Sequence, residues 1–220
     1  MHIALIGYGK MGHIIEEVAL QRGHRIVCVI DKDNIRDIDS PAFASADMAI
    51  EFTTPQTAAD NVCKALTHGV NVVCGTTGWD AQTIVTQGLT ADHGFIWSSN
   101  YSLGVNILFA LNKRLAAMIA PYPEYTPSIT EIHHIHKLDA PSGTAKTLAE
   151  ALLPMPCPIE SIREGEVAGI HEVRWDSEVD TLSIRHEAKS RKGFALGAVI
   201  AAEWLQGKKG FYTMQDVLGL

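Results

Sequence analysis

The feature that most constrains the fold is a glycine pattern near the N-terminus, Gly7-x-Gly9-x-x-Gly12. A short apolar run, HIALIG, leads into it, and a segment with apolar residues at helical spacing follows. In a strand–turn–helix unit the first glycine permits the tight turn, the second lets backbone approach a pyrophosphate, and the third lets the helix pack close to the strand. The pattern therefore predicts a dinucleotide site at the helix N-terminus. The alternative is a glycine-rich turn that binds nothing.

A second apolar run, HRIVCVID, ends in Asp31, about 20 residues beyond the last glycine, as the dinucleotide pattern requires. A carboxylate there can accept hydrogen bonds from both ribose hydroxyls of NAD. Lys32 can pair with the 2′-phosphate of NADP. Together these residues predict the use of NADH or NADPH, with NADH slightly preferred.

Strand-like and helix-like segments alternate over residues 1–101, which is typical of βαβ units and a parallel sheet. Thr54 and Pro55 have the residue types of a helix N-cap and first position, and Asp80 is a candidate cap for the next helix. The loop CGTTGW, at 74–79, lies at the end of a further strand, where ligands bind in such sheets. It is either a ligand loop or a plain turn, and SSNYS at 98–102 is a candidate for the same crevice.

The pattern changes after Asn100. A long helix over Leu103–Ile119 precedes several strand-like stretches, interrupted by a helix that starts near Gly143. Successive strands predict a mixed sheet. The expected fold is a Rossmann-like nucleotide-binding domain, residues 1–101 plus 193–220, with an α+β substrate-binding and oligomerisation domain at 102–192.

The segment EIHHIHKLDAPSGTA, at 131–145, is the second motif. His134 and His136, two apart on a strand, could chelate zinc, but Lys137 beside them opposes a cation. A solvated strand end is the plainest alternative. The third interpretation is an anion clamp: Ser142 caps a helix whose first N–H groups bind a carboxylate, and a histidine upstream donates a proton.

Charge and composition narrow the function classes. The net charge is −7, which argues against nucleic acid and anionic membranes as partners. No apolar run reaches the length of a membrane span, and the N-terminus lacks a signal-peptide layout. The four scattered cysteines, of which none forms a CxxC pair, predict reduced thiols in a cytoplasmic protein.

On the basis of these motifs, the chain resembles the 4-hydroxy-tetrahydrodipicolinate reductase (dihydrodipicolinate reductase) family of lysine biosynthesis. The resemblance runs from end to end and rests on GYGKMG, EFTTP, CGTTGW, SSNYSLGVN, EIHHIHKLDAPSGTA, SRKGFALGAVIAAEWL and GFYTMQDVLGL. It implies NAD(P)H-dependent reduction of a small ring dicarboxylate to tetrahydrodipicolinate in diaminopimelate and lysine biosynthesis. It also implies a cytoplasmic homotetramer.

The resemblance also implies roles for individual residues. His133 is the expected general acid, and Lys137 is the second catalytic residue, holding a substrate carboxylate. No metal is expected. The expected substrate contacts are His134, Ser142, Gly143 and Thr144. The expected cofactor contacts are Gly7, Gly9, Lys10, Met11, Gly12, Asp31, Lys32, Gly75, Thr77, Ser98, Tyr101, Arg191 and Phe194.

The chain departs from the family pattern at two places. Only a short segment separates Asp31 from Asp47, and Thr54 replaces an arginine that the family often carries. Both changes affect the expected cofactor preference. Two other functions stay open from the residues alone: another small-substrate dehydrogenase with the same two-domain plan, and a non-catalytic NAD-binding sensor.

Overall fold

The computed structural model describes residues 1–220, which divide into two compact units. The first unit comprises Met1–Ser102 and Lys192–Leu220, and the second comprises Leu103–Arg191. Each junction lies one residue from the expected boundary. None of the helices combines the length and the apolar character needed to cross a lipid bilayer.

The first unit is built on a six-stranded sheet in the order β10-β5-β4-β3-β1-β2, with every pairing parallel. Its strands are β1 (His2–Ile6), β2 (Arg25–Ile30), β3 (Met48–Glu51), β4 (Asn71–Cys74), β5 (Gly94–Trp97) and β10 (Gly210–Tyr212). Its helices are α1 (Lys10–Gln21), α2 (Pro41–Ala44), α3 (Pro55–Thr67), α4 (Gln82–Thr86), α7 (Lys192–Leu205) and α8 (Met214–Leu218). This architecture confirms the predicted Rossmann-like parallel sheet.

Burial explains the apolar runs of the first unit. Every residue of β3 is buried, and β1 is buried from Ile3 onward, because helices cover the sheet on both faces. Helix α1 packs against α7. Helix α7 also passes so close to the chain after β5 that a Cβ on Gly197 would lie 1.6 Å from the carbonyl oxygen of Tyr101, so no side chain fits there.

The second unit has a four-stranded sheet in the order β7-β6-β8-β9, in which β6 and β7 are parallel and the other pairings are antiparallel. This confirms the predicted mixed sheet. The core lies between the sheet and its two helices, around the buried side chains of Trp175, Val173 and Leu148. The elements are α5 (Leu103–Ile119), β6 (Thr126–His133), α6 (Gly143–Glu150), β7 (Ile159–Arg163), β8 (Ile170–Asp176) and β9 (Thr181–Glu187).

Strand β6 carries the site residues of the second unit into its core. Its burial alternates strictly, so Ile129, Glu131 and His133 are buried while Thr130 and Ile132 on the opposite face are half-buried. The alternation places two polar side chains, Glu131 and His133, on the face that is otherwise apolar.

Three local features differ from expectation. A 3-10 helix over Ile35–Asp39 and the short α2 connect β2 to β3, and the tail contains β10 as well as helix. Strand β6 ends at His133, so His134 and His136 lie in a turn rather than on a strand, which removes the premise of the zinc interpretation. Asp80 lies just before the N-cap position of α4, although its carboxylate accepts a hydrogen bond from the Gln82 N–H at 2.9 Å.

Candidate active site

The three glycines of the first motif differ in what a side chain would meet. Gly7 has a φ of 94°, and a Cβ there would lie 2.1 Å from the carbonyl oxygen of Phe52. A Cβ on Gly12 would lie 2.4 Å from the carbonyl oxygen of Gly7, so α1 can rest on the strand-end loop. A Cβ on Gly9 would meet nothing, and the residue is exposed. Gly7 and Gly12 therefore serve the fold, whereas Gly9 keeps space open for something outside the chain.

The N-terminus of α1 is prepared for an anion. Its N-cap is Gly9, which offers no side-chain acceptor, and its first turn has no acidic residue. The first N–H groups of a helix lack partners within it, and the helix dipole adds partial positive charge there. Lys10, exposed at the first position, adds a full charge. This arrangement suits a pyrophosphate.

Two cavities flank this helix start. The Asp31 cavity, of about 480 Å³, and the Thr77 cavity, of about 370 Å³, share Gly9, Phe52 and Thr53 in their walls. The Asp31 cavity is lined by Ile6, Gly7, Tyr8, Gly9, Ile30, Asp31, Lys32, Ile35, Phe52, Thr53, Thr54, Thr57 and Asn61. The Thr77 cavity is lined by Gly9, Lys10, Met11, Phe52, Thr53, Pro55, Gly75, Thr76 and Thr77. The two cavities therefore meet at the start of α1 and form one groove, with Asp31 in one part and Thr77 in the other.

A hydrogen-bonded loop sets the position of Asp31. Asn34 accepts a hydrogen bond from the Asp31 N–H at 2.7 Å and donates to the carbonyl oxygen of Val29 at 2.9 Å. The Lys32 N–H donates to the Asp31 carboxylate at 2.9 Å. Both Asp31 and Lys32 are exposed, so both can reach a ribose or a phosphate in the Asp31 cavity.

The loop after β4 is rigid. The carbonyl oxygen of Thr76 accepts hydrogen bonds from the indole N–H groups of Trp79 and Trp97 at 2.8 and 2.9 Å. Its hydroxyl accepts a hydrogen bond from the Thr53 N–H at 2.8 Å. A Cβ on Gly75 would lie 2.2 Å from the Phe52 ring. The loop therefore holds an exposed Thr77 at the cavity wall, as a ligand loop would.

Glu51, at the end of β3, was not singled out from the sequence. Its carboxylate is fully buried and accepts hydrogen bonds from the Thr53 hydroxyl and, at 2.9 Å, from the Cys74 thiol. Burial raises the pKa of Cys74 far above its ordinary value, and Glu51 adds to the effect, so the thiol stays protonated and donates. All four cysteines are free, as expected, although only Cys74 is fully buried.

Besides Gly12, four expected cofactor contacts line neither cavity. Tyr101 is 2% exposed and donates its hydroxyl to the carbonyl oxygen of Cys74 at 2.8 Å, so it supports the strand ends from within the core. Ser98 donates to the carbonyl oxygen of Asn100 at 2.9 Å. Arg191, exposed, ends the second unit, and Phe194 is half-buried in α7. A cofactor role for these four residues stays a prediction.

In the second unit, Ser142 is the N-cap of α6, and its hydroxyl accepts a hydrogen bond from the Ala145 N–H at 3.2 Å. Gly143 and Thr144 are the first two helical residues, exposed and half-buried. The Ser142 hydroxyl thus caps the third N–H of the helix, and the partial positive charge at a helix start attracts anions. The start of α6 thus has the geometry of the expected carboxylate cradle.

The turn between β6 and α6 carries the expected cation. The Lys137 ammonium pairs with the Asp139 carboxylate at 2.7 Å. His134 is half-buried, whereas His136 is exposed and pairs with exposed Glu166 at 3.2 Å. Lys137 therefore has an exposed counter-ion that a substrate carboxylate could replace at small cost.

Behind this turn lies a buried ionic network, which we call the Glu131 network: Glu131, His133, Ser142, Arg163 and His171. Glu131 is fully buried; one carboxylate oxygen accepts a hydrogen bond from Arg163 at 2.9 Å, and the other contacts Nδ1 of His133. Nε2 of His171 lies 3.1 Å from the Ser142 hydroxyl. The guanidinium of Arg163 also donates to the carbonyl oxygen of Asp139 at 2.6 Å. One network thus joins the proton-donor candidate, the carboxylate cradle and the lysine turn.

The surroundings set the protonation of the network. Burial lowers the pKa of His133; Glu131 counteracts this, and Lys137 and Arg163 reinforce it, so the net pKa lies below 6.5. Burial lowers the pKa of His171 to about 4, and nearby His133 adds to the effect. Burial alone would raise the pKa of Glu131, but hydrogen bonds from Arg163 and Ser161 and the charges of His133 and Arg163 bring it below its usual value. The network therefore holds an ionised carboxylate beside neutral imidazoles near pH 7.

Ligand atoms of Glu131, His133 and His171 all lie within 4.8 Å of one another, a donor set that suits a divalent ion. Two features oppose a metal here. Arg163 and His133 engage the two carboxylate oxygens, and Lys137 adds a further positive charge. The arrangement favours a hydrogen-bonded network over a metal centre.

Comparison with known proteins agrees with this geometry. Residues 1–101 match the family model "Dihydrodipicolinate reductase, N-terminus", and residues 104–218 match "Dihydrodipicolinate reductase, C-terminus". The chain is 44% identical to a 4-hydroxy-tetrahydrodipicolinate reductase of Christiangramia forsetii over 99% of this chain and 98% of that one. It is 36% identical to a 4-hydroxy-tetrahydrodipicolinate reductase of Thermosipho africanus, again over 99% and 98%.

A solved structure is also similar. The dipicolinate-bound dihydrodipicolinate reductase from Paenisporosarcina sp. TG-14 superposes with a TM-score of 0.78 at 22% identity, covering 97% of each chain. At that identity the likeness concerns the fold. The two family models together span nearly all of the sequence. The chain belongs to the dihydrodipicolinate reductase family, a family of NAD(P)H-dependent oxidoreductases.

Proposed function

We propose that the chain reduces 4-hydroxy-tetrahydrodipicolinate to tetrahydrodipicolinate with NADH or NADPH, as a cytoplasmic enzyme of diaminopimelate and lysine biosynthesis. The observation that carries the proposal is the buried His133, held by Glu131 two residues earlier and followed by the lysine turn and the start of α6. A dinucleotide groove on the same chain, and the full-length similarity to reductases of that name, support it.

The residues of the groove have distinct tasks. The start of α1 at Gly9 and Lys10 holds the phosphates, Asp31 and Lys32 hold the adenosine ribose, and Gly75 and Thr77 border the nicotinamide side. When bound, the dinucleotide supplies a hydride. These residues fit it because Gly9 leaves open space and α1 lacks a side-chain cap.

The second unit supplies binding and the proton. One substrate carboxylate binds at Ser142, Gly143 and Thr144, and His134 and Lys137 bind the dicarboxylate at the turn. Conversion of a 4-hydroxy compound to its reduced product releases the hydroxyl as water, so it consumes one proton for each hydride. His133 donates that proton as the general acid.

The cofactor preference follows from Asp31 and Lys32. The carboxylate favours ribose hydroxyls and repels a 2′-phosphate, whereas the ammonium offsets part of that repulsion. Both are single exposed charges screened by water, so the effects are similar in size. NADH is therefore preferred by less than about 100-fold in kcat/KM.

A homotetramer is part of the proposal. Ile132 of β6 pairs with Ile162 of β7 and Ile170 of β8 on the sheet face opposite the helices, and all three are half-buried. An apolar patch on an open sheet face favours association with another copy. Sedimentation at micromolar concentration should show a tetramer, and a monomer would contradict this part of the proposal.

The decisive assay follows NADH loss while substrate forms in situ from pyruvate and aspartate semialdehyde through the condensing synthase. Oxidation that requires all components is expected. A panel of open-chain keto acids, amino acids and semialdehydes tests the alternative of another dehydrogenase. Tight NADH binding with no turnover on any of these compounds would favour the sensor alternative instead.

A further inference from the structure

Glu131 is the fixed centre of the buried network in the second unit. Its two carboxylate oxygens serve different partners: one accepts from Arg163 at 2.9 Å and lies 3.4 Å from the Ser142 N–H, and the other faces Nδ1 of His133. The side chain is 0% exposed, and Arg163 is itself anchored to the carbonyl oxygens of Ile162 and Asp139 at 2.8 and 2.6 Å. The carboxylate therefore cannot rotate away from the imidazole without losing its contact with the half-buried Arg163 cation.

This placement decides which imidazole nitrogen exchanges a proton. A carboxylate beside Nδ1 keeps a proton on that nitrogen, as the aspartate of a catalytic triad does for its histidine. Neutral His133 therefore presents an unprotonated Nε2. Nε2 lies beside Gly169, where a Cβ would come within 3.1 Å of it and where φ is 144°. Glycine at 169 thus leaves Nε2 open.

The charges around His133 are nearly balanced before any ligand binds. Glu131 on the same strand favours a second proton on the ring; Lys137 from the turn and Arg163 from β7 oppose it. Asp139 is committed to Lys137, and His171 on β8, which also faces His186 of β9, is neutral. Burial of the ring favours its uncharged form, so His133 is mostly neutral in the free protein near pH 7. A bound dicarboxylate brings two negative charges close to the ring, and these charges favour the protonated form of His133.

We propose that Glu131 is the positioning residue of the proton donor: it holds Nδ1 of His133 while the bound dicarboxylate draws a proton from solvent onto Nε2, and the substrate then receives that proton. This rests on the proposed function. The balance is complete: a proton moves from solvent to Nε2 on binding and from Nε2 to the substrate on reduction, and His133 returns to its neutral form with a proton on Nδ1, facing the Glu131 carboxylate.

The first test measures proton uptake by the wild-type protein. Pyridine-2,6-dicarboxylate is titrated into the NADH-loaded protein at pH 7.5 in buffers of different ionisation enthalpy. The expected uptake is between about half a proton and one proton per site, since one imidazole changes state. His133→Asn should bind the compound without uptake. Binding by the wild type without uptake would overturn the inference and leave the proposed function standing.

The second test isolates Glu131. In Glu131→Gln the raising effect of the carboxylate on His133 is lost, so the alkaline limb of the kcat profile should move to lower pH by about one unit or more. Activity should recover toward the wild-type value near pH 6, and proton uptake at pH 7.5 should fall. Glu166→Gln, which removes an exposed carboxylate beside His136, is the matched control and should change neither. A loss of kcat that is equal at every pH would indicate a merely structural role and would overturn the inference.

Two further outcomes are distinguishable. If Glu131→Gln does not fold, the wild-type uptake measurement still decides the proposal, because it needs no variant. If pyridine-2,6-dicarboxylate does not bind the NADH-loaded wild type at all, the proposed substrate class is wrong, and the inference is overturned with it.

Discussion

The two sites of this chain are built on opposite principles. The dinucleotide groove in the first unit is shaped by backbone: glycines, the uncapped start of α1, and a loop fixed by hydrogen bonds to the Thr76 carbonyl. The Glu131 network in the second unit is built from ionisable side chains packed where water is largely excluded. Under the proposed function, the first site binds by shape and the second acts through charge.

The largest expected effect is the loss of kcat when His133 is replaced. His133→Ala should lower kcat by about 10² to 10⁴, the usual cost of losing a general acid, while NADH affinity is kept. His136→Ala, at an exposed histidine three residues further along the chain, should have little effect. Steady-state kinetics and NADH titration separate the two quantities. A His133→Ala variant with near-normal kcat would show that the second site does not work by proton transfer.

A second prediction concerns the stability cost of burying imidazoles. The pKa of His171 is about 4 when folded and near 6.5 when unfolded, so the unfolded state binds the proton in between. The neutral, buried imidazole therefore contributes fully to folding stability above pH 6.5. As the pH falls from 7 to 5, this contribution to the free energy of unfolding decreases by about 2 kcal/mol. Urea unfolding should show this loss reduced in His171→Gln and unchanged in His136→Gln. Equal pH dependence in all three proteins would contradict it.

Two glycines allow the comparison to be made directly. A Cβ on Gly9 or on Gly143 would meet no atom of the protein, yet each residue lies at a helix start in one of the two sites. Gly9→Ala should leave thermal stability nearly unchanged and weaken NADH binding by about tenfold, because the methyl group occupies the phosphate approach. Gly143→Ala should instead raise KM for the substrate. If both variants affected the same ligand, the assignment of the two sites to the two units would be wrong.

The smallest expected effect is at Lys32. Lys32→Ala should reduce the kcat/KM ratio of NADPH to NADH by about fivefold, because an exposed single charge contributes on the order of 1 kcal/mol. Raising the salt concentration should weaken NADPH binding more steeply than NADH binding in the wild type, and this difference should shrink in the variant. An unchanged ratio would show that the 2′-phosphate does not lie near Lys32.

The two sites also differ in how much of them the sequence could predict. The roles of Gly7, Gly9 and Gly12 were predictable because they follow from positions within one strand–turn–helix unit. Arg163 and His171 were missed because they meet His133 only through the pairing of β6 with β7 and β8. Register between distant strands leaves no local signal, although Glu131, two residues before His133, could have been placed on the same face.

Other differences have local causes. Tyr101 was expected to line the pocket because it follows a strand end, but its hydroxyl finds backbone carbonyls inside the core. Strand β10 is only three residues long and follows the long helix α7, so its short apolar run carries little strand signal. The short connection between β2 and β3 still folds into a 3-10 helix and α2, with Phe43 fully buried.

The position of β10 has a consequence for synthesis. This strand borders β5 at one edge of the first unit's sheet, yet residues 103–191 of the second unit are translated between them. While the chain emerges, β5 therefore exposes an unpaired edge that another nascent chain could pair with. The second unit, contiguous in sequence, can complete its sheet first. The first unit begins earliest and finishes last, when residues 210–212 leave the ribosome and close the edge.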